Sequence, residues 1–227
     1  MISCNSHRKS NNRVQNNLND TLLNKILKDS EHPPSKDQIQ FNDSINAFIL
    51  RGSVIKPKLK FKLYKDNLPE ISIDTIIFSP CLEYVFSPFG IIKTESNIKS
   101  SRLNKFSVLD RIDTMENGIF KFQILKYKNS KLILFFDNDP DGSRGSYIFK
   151  GTILDKEIEL DFGIKIGMDK EKFINIFFDY FSPELLSKYN KIVFESCVYG
   201  LKHIYIFENN KLKFIEFKSH SFWIVDY

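Results

Sequence analysis

The chain has 227 residues, 42% of them hydrophobic, which is enough for one substantial domain or two small ones and rules out a wholly disordered protein. Its 33 basic and 28 acidic residues leave a net charge of +5 but are largely interspersed, as in Asp169-Lys170-Glu171-Lys172, so they describe a solvated surface and not a nucleic-acid footprint. Three cysteines are too few for a disulfide framework, and no apolar run approaches the roughly 18 residues of a membrane-spanning helix.

In chain order the first signal is Met1-Ile2-Ser3-Cys4, followed by Asn5-Ser6. An apolar residue three positions before a cysteine, and a small residue directly before it, resembles the lipobox of bacterial lipoproteins, whose cysteine is acylated after the signal is cut. The resemblance implies lipid attachment at Cys4. The competing reading is a free cysteine in a frayed terminus. Asn5 to Asn19 is dominated by Asn, Ser, Lys and Arg and has almost nothing to bury, so residues 1–19 read as a disordered tether.

Residues 20–52 read as short helices and linker. Leu22, Leu23, Ile26 and Leu27 share a helical face behind Asp20 as N-cap, Pro33-Pro34 interrupts, and Ser44 to Arg51 suggests another helical turn closed by Gly52.

Residues 53–160 read as a β-rich region. Lys56, Lys58, Lys60 and Lys62 alternate with apolar residues, which on a strand would put the lysines on one face. That is the pattern of an edge strand guarded against pairing, with binding of nucleic acid or anionic lipid as the alternative. Strand patterns follow at 71–78, 82–86, 106–112, 120–127, 132–136 and 147–154. Asn129-Ser130 looks like a two-residue hairpin turn that sets Tyr127 opposite Leu132 and Leu125 opposite Leu134, and an antiparallel meander follows from the spacing. Ser87-Pro88-Phe89-Gly90 marks a further turn.

Residues 161–227 read as an α+β unit. Asp169 is placed to cap a helix whose Phe173, Ile176, Phe177 and Tyr180 recur at helical spacing, and Ser182-Pro183 opens a second helix. Three strands follow, the last two joined by Asn209-Asn210, with Tyr205 expected opposite Phe214 and Phe207 opposite Leu212. Ile164-x-Ile166-Gly167-Met168-x-Lys170-Glu171-x-Phe173 resembles the opening of small periplasmic helix-plus-sheet modules, namely SmpA-type outer-membrane assembly lipoproteins and β-lactamase-inhibitory proteins. The resemblance, over residues 161–217, implies a helix packed on an antiparallel sheet that binds other proteins. Asp169 departs from it, standing where Ser or Thr is usual.

The candidate chemical sites are sparse. Asp137-Asn138-Asp139-Pro140-Asp141-Gly142 has the D-x-D-x-D-G spacing that converges Asp137, Asp139 and Asp141 on Ca²⁺, but the twelfth position holds Ile148 where a calcium loop has Glu. The same residues also suit a plain acidic turn. Cys81 and Cys197 could pair as a disulfide in an oxidising compartment, or remain ordinary buried thiols. A nucleophile–base pair of Cys197 and His203 is opposed by strand parity if Val198 faces His203. Zinc through Cys197, His203 and His220 lacks ligand spacing. Glu157, Glu159 and Asp161 alternate as a solvated strand face would.

These readings combine into a strand-rich α+β protein: an antiparallel meander, then a helix-helix-three-strand unit, behind a disordered tether. The expected function is non-catalytic. The chain would be a lipid-anchored protein of the bacterial cell envelope, facing the periplasm or cell surface, that binds a protein partner, touches the membrane only through its anchor and has no nucleic-acid role. The alternatives are an unrecognised envelope hydrolase and a cytoplasmic immunity protein that neutralises a toxin.

Overall fold

A computed structural model of the chain describes residues 39–61, 68–79, 83–115, 118–136, 146–196 and 200–219. The expected helix at 21–28 therefore lies outside the described residues. Among the described residues the fold is α+β and mostly strand, with two sheets and few helices.

The smaller sheet takes β1 (Ile39–Asn42), β2 (Ala47–Leu50), β3 (Ser53–Pro57) and β10 (Phe178–Phe181) in the order β1-β2-β3-β10, every pair antiparallel. Of the helical turn expected over 44–51, residues 47–50 are strand β2, set between turns at 43–46 and 51–52. Arg51 and Gly52 both take positive φ, 52° and 81°, which makes a two-residue hairpin turn that matches strand twist. Gly52 thus closes a strand pair and not a helix. Fully buried Ala47, Phe48 and Leu50 hold β2 against the core.

The larger sheet has nine strands. They are β4 (Glu70–Ile71), β5 (Thr75–Phe78), β6 (Ser107–Met115), β7 (Gly118–Tyr127), β8 (Ser130–Phe136), β9 (Ser146–Ile153), β11 (Lys191–Glu195), β12 (Lys202–Glu208) and β13 (Lys211–Lys218), ordered β4-β5-β11-β12-β13-β9-β8-β7-β6. All neighbours are antiparallel except β5 and β11, which run parallel from Thr75↔Lys191 to Phe78↔Phe194. Strands from both sides of residue 160 share this sheet, because β9 pairs with β13 through Gly151↔Phe217 and Ile153↔Ile215. Gly151 has to be glycine: a Cβ there would lie 2.5 Å from the Lys131 carbonyl oxygen and 2.7 Å from Leu132 Cδ2.

The β7–β8 hairpin turns one residue earlier than expected, at Lys128-Asn129, so Tyr127 faces Ser130 and Leu125 faces Leu132. Asp155 accounts for the shift. Its Oδ2 accepts from Ser130 Oγ at 2.6 Å and from the Asn129 backbone N–H at 3.0 Å, which draws Ser130 into the strand. Those donors, the Ser130 hydroxyl foremost, hold the Asp155 carboxyl below its ordinary pKa. Residues 83–86, expected as strand, form the helical turn α1 (Glu83–Phe86).

Helix α2 (Lys170–Phe177) buries Lys170, Phe173, Ile174 and Phe177. Ile176 is partly buried against the same core, whereas Tyr180, also expected on that face, is not in the helix. The helix ends at Phe177 because the next four residues, Phe178-Asp179-Tyr180-Phe181, pair with β3 as β10, which leaves Tyr180 partly exposed. Helix α3 (Pro183–Lys188) begins as expected at Ser182-Pro183, but the Ser182 hydroxyl does not cap it and instead accepts from the Val54 N–H at 2.7 Å.

The two sheets, α1, α2 and α3 share one apolar core, rich in phenylalanine. Phe173 of α2 lies against Tyr205 and Phe207 at ring distances of 4.6 and 5.3 Å, so the helix does cover the β11–β13 sheet. Among the described residues no helix is long and apolar enough to cross a membrane.

Candidate functional site

Three separate segments converge on a cleft of about 320 Å³ lined by Lys60, Phe61, Tyr84, Ser87, Gly90, Ile91, Asp161 and Phe162. The first segment follows β3. The chain leaves the smaller sheet at Pro57 and turns, with the Phe61 N–H donating to the Lys58 carbonyl at 2.8 Å. Lys62 lies outside the described residues, and Lys56, Lys58 and Lys60 do not share one strand: Lys56 belongs to β3, which lies inside the sheet, and Lys58 donates from Nζ to the Asn175 carbonyl. Lys60 folds back, its Nζ 5.0 Å from the centre of the Phe61 ring and 5.2 Å from that of Phe162.

The second segment runs from α1 through Ser87-Pro88-Phe89-Gly90, where the Gly90 N–H donates to the Ser87 carbonyl at 3.0 Å and Gly90 takes φ 82°. The third is the 3-10 turn Asp161–Gly163. Its Asp161 N–H donates to the Pro88 carbonyl at 2.7 Å and so locks the two segments together. Phe162 has φ 61° and ψ 16°, a left-handed conformation that is uncommon and costly for a bulky residue, and the residue is 48% exposed. The strained backbone holds an aromatic ring at the surface where burial alone would not keep it.

The floor is a sealed aromatic cluster. The Phe162 ring lies 5.5 Å from Tyr84, and Tyr84 lies 5.5 Å from Phe177. The Tyr84 and Tyr205 hydroxyls hydrogen-bond to one another, and the Tyr205 oxygen is 3.4 Å from His203 Nδ1. Burial pushes both phenols well above their ordinary pKa and drives His203 down to about 3, against a backbone hydrogen bond with Val85 that favours its protonated form. Near neutral pH all three groups are uncharged.

The rim is charged. Arg102 Nε lies 3.0 Å from Asp161 Oδ1, and Arg102 Nη1 lies 3.1 Å from Glu159 Oε1. Glu157 pairs with Lys128 at 2.8 Å. Glu157, Glu159 and Asp161 are thus partners of cations along an irregular segment, and not the solvated strand face their alternation suggested.

Cys4, Cys81, Cys197, His220 and the acidic residues Asp137, Asp139 and Asp141 lie outside the described residues. His203 pairs with Phe194 and not with Val198, because the Ser196 N–H donates to the Leu201 carbonyl and the Ser196 hydroxyl accepts from the Leu201 N–H, closing the turn earlier. Among the described residues no group of three or more His, Cys, Asp or Glu side chains is arranged to hold a metal ion.

Asp169 starts α2 without capping it through its side chain. Its carboxylate meets Lys211 at 2.6 Å and Lys172 at 3.5 Å. Lys170, read from sequence as a surface charge, points inward at 1% exposure and donates to the Leu186 carbonyl and, at 3.2 Å, to Asn190 Oδ1. Burial lowers its pKa to about 8.

Sequence reasoning missed Lys60, Tyr84, Phe162 and the Tyr205–His203 pair as one site. The local signals were the bulky residue in Asp161-Phe162-Gly163 and the same-face spacing of His203 and Tyr205. No protein-family model matches the chain, and neither a curated protein nor a solved structure matches it.

Proposed function

We propose that the chain is a non-catalytic protein of the bacterial cell envelope, anchored by lipid at Cys4 and held off the membrane by residues 5–19, that binds a protein partner through the cleft between Phe61 and Phe162. The observation that carries the binding role is the state of the groups beneath the cleft. His203 is neutral, Tyr84 and Tyr205 are protonated, and all three are sealed by burial, so none exchanges a proton with a bound molecule near neutral pH. What faces solvent is an aromatic surface on a strained turn, a recognition element in character.

The Ile2-Ser3-Cys4 pattern and the polar stretch behind it support the envelope location. The likeness of Ile164 to Phe173 to periplasmic binding modules supports a protein partner. Any Ca²⁺ at Asp137, Asp139 and Asp141 would brace the connection from β8 to β9 and take no part in chemistry.

The test is a photo-reactive residue at Ile91, on the cleft and 58% exposed, compared with one at Leu109 on β6, 52% exposed. Irradiation of cells making the full chain should yield a discrete adduct from position 91 and none from position 109. Equal adducts from both positions, or none from position 91, would remove the cleft from the binding role.

A further inference from the structure

The geometry points to the Phe61–Tyr84–Phe162 cleft as an aromatic cage for an alkylammonium group, with Lys60 as its built-in occupant. This rests on the reading of the cleft as the recognition site, and it specifies the chemistry that enters. Two rings inclined at 79° with centres 6.0 Å apart form a corner, and Tyr84 adds a third ring 5.5 Å from Phe162. Ring faces carry negative electrostatic potential, so such a corner attracts a cation that sheds water easily.

Lys60 shows where that cation sits. A lysine at an exposed turn is free to extend into water, yet its ammonium lies about equally far from both ring centres. Ser87 supplies a hydroxyl on the same lining, and Asp161 a carboxylate already paired with Arg102. The left-handed backbone at Phe162 fixes the outer wall before any ligand arrives, which lowers the ordering cost of binding. An entering ammonium displaces the Lys60 head group to solvent, and the exchange conserves charge in the cage. Lys60 therefore competes with any entering cation and weakens the site.

The source can be a small quaternary ammonium compound or a lysine side chain presented by a protein. Purified full-length chain with carbon-13-labelled phenylalanine rings is titrated with tetramethylammonium chloride, and separately with N-acetyl-lysine amide, against sodium chloride at matched ionic strength. We expect saturable shifts at Phe61 and Phe162. Lys60→Gln should tighten binding about 3- to 10-fold and Phe162→Leu should weaken it about 5-fold, the scale of one solvent-exposed cation–ring contact. Tighter tetramethylammonium binding assigns the site to small quaternary amines, and tighter lysine-amide binding assigns it to a protein side chain. Lys60→Gln and Phe162→Leu alter exposed or half-exposed positions, and the unchanged ring spectrum of the buried core confirms that each variant is folded.

Shifts that sodium chloride reproduces, or a folded Lys60→Gln variant that binds no more tightly, would overturn the cage. A cage that fails while Ile91 still cross-links leaves protein binding standing with different chemistry. A cage that binds tetramethylammonium while Ile91 yields no adduct removes the protein partner and leaves a small-molecule site.

Discussion

The Tyr84 and Tyr205 hydroxyls meet in a buried hydrogen bond that ties α1 to the middle of the nine-stranded sheet, joining residues 121 apart in the chain. The two phenols, with His203 beside them, form a polar island inside an aromatic core. An island of this kind stays stable only while every member is uncharged, and that condition ties stability to pH.

His203 has an ordinary pKa near 6.5 and a folded pKa of about 3. Between those values the unfolded chain binds a proton that the folded chain does not, so its contribution is complete above pH 6.5 and is lost as pH falls toward about 3. The slope within that window approaches about 1.4 kcal/mol per pH unit. Urea unfolding of the native chain and of His203→Gln at several pH values isolates the term from the carboxylates. The native chain's advantage over the variant should shrink steadily below pH 6.5, and a constant difference would show that His203 titrates normally in the fold.

Lys170 works in the alkaline range. Its folded pKa of about 8 lies below its ordinary 10.5, so above about 8 the folded chain releases a proton that the unfolded chain keeps. Stability should therefore rise from about pH 8 to about pH 10, by at most about 3 kcal/mol, until ionisation of the tyrosines in the unfolded chain reverses the trend. Lys170→Met should flatten that rise. A native chain whose unfolding midpoint falls steadily over the same range would contradict the buried-amine account.

Phe177 connects the helix, the sheet and the cleft floor. It is 1% exposed, with ring centres of Phe194 at 4.5 Å, Phe61 at 4.9 Å and Phe173 at 5.2 Å. Truncation to alanine should cost about 3–5 kcal/mol. Lys172→Ala, on the exposed side of α2, should cost under about 0.5 kcal/mol even though Lys172 pairs with Asp169 at 3.5 Å. Chemical denaturation of both variants decides, and a neutral Phe177→Ala would mean that α2 does not anchor the sheet.

How much of this was legible depends on the range of the interactions. Phe173 and Phe177 were readable as a helix face, and Phe207↔Leu212 as a hairpin pair, because turns and helical spacing act within a few residues. Tyr205 faces Ile215 and not Phe214, since the register slips between Ile206 and Phe207, and nothing local announces a bulge there. The helical reading of 44–51 failed because pairing with β1 and β3 decided the matter, and the helical reading of Tyr180 failed because β3 captured the chain. The parallel contact of β5 with β11 and the convergence of Lys60, Tyr84 and Phe162 are purely tertiary. Periodicity carries no information about either.

The central proposal is a recognition cleft on a lipid-tethered chain, and the state of Cys4 tests it most directly. The measurement is the intact mass and detergent-phase partition of the protein made with its native upstream region. The account predicts a mass increased by acyl chains at Cys4 and recovery in the detergent phase, with Cys4→Ala returning the protein to the aqueous phase. Unmodified mass, aqueous recovery and a Cys4 thiol open to alkylation would contradict it.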